Sequence, residues 1–519
     1  MGVNPISGAG IMNRRLFLTS NLAAAATLPG LHAAGERINH YLPETDSHYR
    51  QVQSYIEREP VPEYRWAPDA SYEAFRDIKY GVRLHWGPYS INGEPKESWP
   101  FLTLPFAGRQ RYQDLYKTWN PAGFNATEWM NLFAAGGMKM FAFTSKHHDG
   151  FSMFDTRTRV RQRTNWLAPG GPAIEPCNLA YSIMETPFRR DVVKELCDAA
   201  RKRNIKIDLY FSHPDWYDAD FRPYTYHPLQ VPSSEELTRD LAGAKRRLGD
   251  RMVIVPDPSE EEVNRAMARH RAQLTELLTR YGKIDMLCLD MWLGPKIWPK
   301  LRENILHLRK VQPDVMLRAR GIGNYGDYYT PEGFVPGQKA NTGTPWFVIY
   351  PLGSSFSYEP EAEKHKGSAW IIRNLIESVA KGGAFMVGIG PDGQGRFHPA
   401  AVAQLRDAGE WLKVNGDAIY ATREREGTLW AEGENIRFTR TKDRRTLFAH
   451  VLNWPGDRLM LRSVNPRDES VVRMLGTREP LKWTRAEGGM EVQLPPAMQD
   501  PSKRPCQFAW VFRVDPVSA

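Results

Sequence analysis

The chain has 519 residues, 41% of them hydrophobic and 25% charged, with a formal net charge of +9. That length allows more than one domain, and the balance is ordinary for a soluble globular protein, which excludes a disordered or fibrous chain. The charge is spread too thinly for a nucleic-acid surface: the densest short run, KRR at 245–247, reads as a solvated face.

In chain order, residues 1–34 read as an export signal. Arg14-Arg15 precede an apolar stretch, LFLTSNLAAAATLPGLHAA, which ends in small residues. The NRRLFL order is twin-arginine-like, so a periplasmic or secreted protein is expected. Elsewhere no apolar run is long enough to span a membrane. Residues 35–74 are a proline-rich lead-in with one helix near 47–58. From 75 to 424 short apolar runs alternate with amphipathic helices. Strands are expected at 79–86, 138–147, 205–213, 284–292, 314–321, 346–353 and 384–391, and helices at 126–137, 188–204, 260–282, 301–311, 369–383 and 401–415. Continuous apolar strands alternating with helices indicate a parallel sheet covered on both faces. Seven strands fit an α/β fold of the (β/α)8-like TIM barrel kind with one strand unplaced. Residues 425–519 change to short alternating runs with turn signals, which reads as a C-terminal antiparallel β-sandwich. The insertion 214–258 follows a strand end and is expected to shape a cleft wall.

In a parallel barrel, chemistry sits at the C-terminal ends of strands. The first strand delivers Arg83 and His85, the second His147-His148-Asp149. The third delivers Tyr210, His213 and Asp215, the fourth Asp290, the fifth Arg318 and Arg320. Successive strands that all end in such groups point to one shared ligand site. A metal fits poorly: neighbours on an extended strand point to opposite sides, so His147 and His148 are not expected to face one ion, and no H-E-x-x-H is present. Sugar recognition fits better, because imidazole and guanidinium groups bind hydroxyls and aromatic rings stack on apolar sugar faces; the chain holds 16 Trp and 21 Tyr. Glycoside cleavage needs two carboxyl groups. Asp290 suits one role: it ends an apolar strand, and Met291-Trp292-Leu293-Gly294 separate it from the next helix.

Several segments are similar, in the same order, to glycoside hydrolase family 29, the α-L-fucosidases, over about residues 70–425. They include LHWGPYS, KHHDGF followed by FDT, ETPFRRDVVKEL, LYFSHPDWY, GDYYTPE, KGGAFMVGIGPDGQG and WLKVNGDAIYAT. The resemblance implies that His85, His147 and His148 bind fucose hydroxyls, that Trp86 and Trp99 line the subsite, and that Tyr210 and Phe356 pack against the sugar. Arg320 stands where the family has an arginine, and Asp290 takes the nucleophile's place. The chain departs from the family where Cys288-Leu289-Asp290-Met291 replaces W-F-D-G and where Ser98 stands in place of a Glu beside the subsite tryptophan. Trp346-Phe347 replaces a W-E pair that some relatives use for the acid/base. Glu332 in TPE is then the acid/base candidate, with Glu361, Glu363 and Asp327 as alternatives. The implied activity is retaining, exo-acting hydrolysis of α-L-fucosides, or of a close relative such as L-galactosides. It needs no metal or organic cofactor and acts on a fucosylated oligosaccharide or glycoconjugate. A catalytically degenerate carbohydrate-binding protein of the same fold is the alternative, and a homo-oligomer is left open. Lys146 and Asp149 are read as braces of the turn.

Overall fold

The computed structural model describes residues 56–93, 96–222, 227–229, 257–335 and 344–517. The expected export signal, the helix near 47–58 save its last residues, and most of the insertion 214–258 lie outside the described residues. In chain order the strands are β1 Tyr80–Leu84, β2 Met140–Lys146, a hairpin of β3 Val160–Asn165 and β4 Ala173–Leu179, then β5 Lys206–Ser212, β6 Met286–Asp290, β7 Met316–Leu317, β8 Phe347–Pro351 and β9 Ala384–Ile389. All but the hairpin form one parallel sheet in the order β7-β6-β5-β2-β1-β9-β8. Every residue of β1, β2, β6 and β9 is buried. Strands paired on both edges and roofed by helices have no wet face, so they show no polar alternation.

The eighth strand position is taken by residues 328–332. Single parallel bridges join Tyr328 to Arg318, Tyr329 to Trp346 and Glu332 to Ile349, so the segment fills the space between β7 and β8 and closes a (β/α)8-like barrel. Its sequence, YYTPE, hid this. Pro331 has no N–H to give to the ladder, so the pairing reduces to isolated bridges. Glu332 thereby stands at a strand's C-terminal end, level with the other candidate residues.

Several helices start where a side chain can hold their first N–H groups. Asn125 caps Ala126–Ala135, Asp191 caps Val192–Lys202, and Ser259 with Glu262 forms a capping box on Glu260–Thr279. The helix Asp69–Ile78 starts before residue 75 and closes the N-terminal end of the barrel. Its Tyr72, Phe75 and Ile78 pack on Met140, Met286, Met316 and Met386. The β3–β4 hairpin was not expected, because its run VRQRTN lacks the apolar alternation that marks a strand.

The C-terminal region forms two antiparallel sheets, the larger built on the pairing of Leu447–Val451 with Trp510–Val517 and the smaller of Arg458–Leu461, Gly489–Gln493 and Trp483–Ala486. It has its own core around Phe438, Leu461, Val472 and Phe512. The other face of the larger sheet gives Phe448, Leu452, Ala509 and Val511 to the barrel's core. Among the described residues no helix is long and apolar enough to cross a membrane.

Candidate active site

A cavity of about 180 Å³ opens at the C-terminal ends of the barrel strands. It is lined by Arg83, His85, Glu97, Trp99, His147, His148, Tyr210, Asp290, Met291, Trp292, Arg320, Gly321, Glu332, Ile349 and Phe356. That is smaller than the roughly 300–1,000 Å³ of pockets for drug-sized ligands and suits one sugar ring. A larger cavity, about 270 Å³, lies at the opposite end beneath Asp69–Ile78. Its charged residues pair with one another, Lys206 with Asp285 at 3.0 Å and Lys283 with Asp314 at 2.6 Å, so it offers a ligand little.

Asp290 ends β6 and is 8% exposed. Tyr210 donates its hydroxyl to Asp290 Oδ2 at 2.7 Å, while Arg320 Nη1 lies 3.3 Å and Arg318 Nη1 3.8 Å from Oδ1. Burial pushes the Asp290 carboxyl up, but Arg318, Arg320, His148 and Arg83 outweigh it and hold the group well below the ordinary carboxylate range. Arg320 also donates from Nη2 to Glu332 Oε2 at 2.6 Å. One guanidinium thus bridges the two carboxyl groups. Burial and the charge of Asp290 push Glu332 up, yet Arg320 and Arg318 prevail and its carboxyl is lowered. With a side chain 35% exposed, Glu332 is the wetter of the pair.

The imidazoles form the rim. Burial and Arg83 keep the His85 ring well below its usual range, burial and His148 do the same for His147, and burial takes His148 down to about 4. All three are neutral at pH 7, each with one donor and one acceptor, which matches a sugar hydroxyl. His147 Nδ1 shares a hydrogen bond with Ser98 Oγ at 2.5 Å. Nδ1 of His85 and of His148 has no partner among the described residues. The expectation that His147 and His148 diverge is corrected: both line the cavity, with ring centres 4.2 Å apart. β2 ends at Lys146, so the chain has left the extended form on which alternation depends. Lys146 and Asp149 do brace the turn. Lys146 Nζ lies 3.6 Å from Asp215, and Asp149 accepts from Tyr112 at 2.6 Å and from the Phe151 N–H at 3.2 Å. Among the described residues no group of three His, Cys, Asp or Glu is arranged to hold a metal ion.

Trp99 lines the cavity with its ring edge-on to His148 at 4.9 Å. Phe356 reaches it because β9 has glycine at 388; a Cβ there would sit 2.3 Å from Phe356 Cδ1. Trp86 does not line the cavity. Arg83 and His85 face inward, so Leu84 and Trp86 face the helices, and Trp86 packs among Trp119, Phe124 and Trp129 with Nε1 donating to the Asp392 carbonyl at 2.9 Å. Of the alternative acids, Asp327 is tied to Arg309, Tyr72 and the Ala67 N–H, and Glu361 to Lys364. Neither they nor Glu363 reach the cavity.

Glu97 is the functional candidate that sequence reasoning missed. The carboxyl expected at position 98 is present one residue earlier, because Lys96 and Glu97 adopt left-handed backbone (φ 66° and 55°) that turns the side chain inward. Its Oε1 accepts from the Ser357 N–H at 2.9 Å, and burial pushes the carboxyl up to about 7. The Glu-Ser-Trp run was the available signal; the offset of one residue concealed it.

Neutral imidazoles and aromatic faces suit a sugar, two carboxyl groups joined by an arginine suit cleavage of a glycosidic bond, and a barrel that presents both at its C-terminal mouth fits the glycoside hydrolase class. Residues 52–417 match the α-L-fucosidase family, and residues 432–515 match the α-L-fucosidase C-terminal domain; the chain belongs to that family. It is 26% identical to the α-L-fucosidase of Branchiostoma floridae over 85% of this chain and 92% of that one. Two solved structures share the fold. α-L-Fucosidase isoenzyme 1 from Paenibacillus thiaminolyticus is 24% identical, with TM-score 0.68 over 87% of this chain and 99% of its own. A family 29 α-L-fucosidase from Bacteroides thetaiotaomicron, a trapped covalent intermediate in complex with 2-fluoro-fucosyl fluoride, is 22% identical, with TM-score 0.67 over 90% and 99%.

Proposed function

We propose that this glycosidase releases terminal α-L-fucose, or a sugar of the same configuration, by a retaining mechanism. The observation that carries the reading is Asp290: a buried carboxylate on the cavity floor, kept ionised by Tyr210, Arg320 and Arg318. An ionised oxygen there can attack the anomeric carbon as the bond to the leaving oxygen breaks. Glu332 gives its proton to that oxygen, and the sugar is left as an ester on Asp290. Glu332, now a base, takes a proton from water, which attacks the same carbon, frees the sugar and restores Asp290. A common partner in Arg320 supports the short carboxyl separation, roughly 5–5.5 Å, of retaining enzymes. The covalent intermediate of the Bacteroides thetaiotaomicron relative supports the same chemistry.

His85, His147 and His148 hold the hydroxyls, Trp99, Tyr210 and Phe356 pack against the ring, and Glu97 adds a further hydroxyl partner. A cavity of about 180 Å³ supports exo action on one terminal residue. Mass spectrometry after incubation with 2-fluoro-fucosyl fluoride tests this: one fluorofucosyl adduct on the peptide holding Asp290 is expected, and an adduct on another carboxylate would sink the assignment. Export by the twin-arginine-like leader is part of the proposal. Replacing Arg14-Arg15 by Lys-Lys should trap activity in the cytoplasm, and unchanged fractionation would refute it.

A further inference from the structure

The steps above give no work to Arg83, although it lines the cavity and is 3% exposed. Its guanidinium lies between the two aromatic rings of the apolar wall, 4.7 Å from the centre of Tyr210 and 5.9 Å from that of Phe356. Nη1 reaches Cys288 Sγ at 3.2 Å, but that sulfur also takes Arg318 Nη1 at 3.0 Å. A thiol is a weak acceptor, and here two cations share it. Nε of Arg83, and Nε and Nη2 of Arg318, have no hydrogen-bond partner among the described residues. Two buried carboxylates are near Arg83, yet neither pairs with it directly: Asp290 pairs with Arg318 and Arg320, and Asp208, whose charge Arg83 favours, accepts from the Tyr328 hydroxyl at 3.3 Å. The charge itself is compensated by its neighbours, but a buried N–H without an acceptor is costly and gains from an incoming group that pairs with it.

The imidazole rim takes the ring hydroxyls, and Asp290 faces the anomeric carbon. The wall of Tyr210, Phe356 and Ile349 is left for the C5 side of the ring. A methyl group on C5 suits the aromatic faces but brings the guanidinium no acceptor. We propose that the cavity prefers a terminal α-L-galacto-configured sugar with an oxygen on C6, as a hydroxymethyl or carboxylate group, and that Arg83 donates to that oxygen. The inference rests on the hydrolase reading above and names its substrate class.

The test compares kcat/KM for the 4-nitrophenyl α-L-fucoside, α-L-galactoside and α-L-galactosiduronate in the wild type and in Arg83→Met. A site that donates to a substrate oxygen discriminates strongly against the analogue lacking it, so an oxygenated substrate should lead the fucoside by about tenfold or more. Arg83→Met should reverse that order. A lead of the galactosiduronate over the galactoside marks the carboxylate as the natural group. A fucoside that matches or outruns both in the wild type overturns the inference, as does a variant that slows all three equally; the hydrolase reading survives either result. Should Arg83→Met not fold, the wild-type order decides alone. Calorimetry separates the two readings further. Tighter binding of free L-galactose than of L-fucose, with no substrate hydrolysed, upholds the role of Arg83 while ending the hydrolase reading. Equal or weaker binding of L-galactose ends the role of Arg83.

Discussion

Three carboxyl groups face one small cavity, and their surroundings drive them apart. Asp290 is held well below the ordinary range, Glu332 is lowered, and Glu97 is pushed up to about 7. Asp290→Ala should cut kcat by about 10³-fold or more with the fold intact, as judged by circular dichroism. Glu332→Gln should lower turnover of a fucosyl disaccharide by about 10²–10⁴-fold and of fucosyl fluoride far less, because fluoride leaves without a proton. Equal loss on both would remove Glu332 from the acid role. A lowered acid is protonated only on the acid side, so the basic limb of kcat/KM belongs below neutral pH. Glu97 behaves in the opposite sense. It is protonated, and able to donate to a hydroxyl, below about pH 7, and loses that ability as pH rises. KM should therefore climb through neutral pH in the wild type and stay flat there in Glu97→Gln, whose amide always donates.

Two short connections decide whether these groups meet. Met291 follows Asp290 in the left-handed region (φ 66°), and its carbonyl lies where a Cβ on Gly321 would be, 1.9 Å away. Gly321 itself has φ 75°, directly after Arg320. Gly321→Ala must push the β6 exit and the Arg320 loop apart, at a cost of about 1–3 kcal/mol. Activity should fall well beyond what the loss in Tm explains; unchanged kcat would show that this contact does not set the site. The long apolar strands and the amphipathic helices were readable from periodicity, whereas the caps Asn125, Asp191 and Ser259 emerge only in the structure. The 328–332 strand was not readable, since Pro331 breaks its ladder, nor was the β3–β4 hairpin, whose strands VRQRTN and AIEPCNL lack a regular apolar alternation. Element type follows from local pattern; membership in the barrel wall depends on neighbours far away in the chain.

Across the whole molecule, the C-terminal sheets are part of the barrel's support. Phe448, Leu452, Ala509 and Val511 enter the barrel core, and Trp411 Nε1 donates to the Ala509 carbonyl at 2.8 Å. A chain ending at residue 424 would expose that face and should aggregate; a soluble, active truncation would refute the dependence. Buried histidines set the acid limit of stability. His85, His147 and His270 lie well below the usual imidazole range, His148 at about 4, and His213, His227 and His450 at about 3, each chiefly through burial. Unfolded, they bind protons near 6.5, so the stability they contribute is present above that value and is lost as pH falls toward 4. Asp149, Asp208, Asp218 and Glu97, raised by burial to between about 6 and about 7, oppose this but are fewer. Tm should drop between pH 6.5 and 5, and a rise over that interval would contradict the balance.

By itself the sequence determined the barrel class, the antiparallel C-terminal region, the family, and most of the residues around the cavity. These follow from short-range regularities: apolar periodicity, turn signals, and motifs whose residues are adjacent. Only the tertiary structure decided that Trp86 faces the helices, that Glu97 turns in, that His147 and His148 share one cavity, and that Arg83 makes no direct ion pair among the described residues. Those outcomes depend on which way a side chain leaves its strand and what meets it from another. That is fixed by packing between segments hundreds of residues apart.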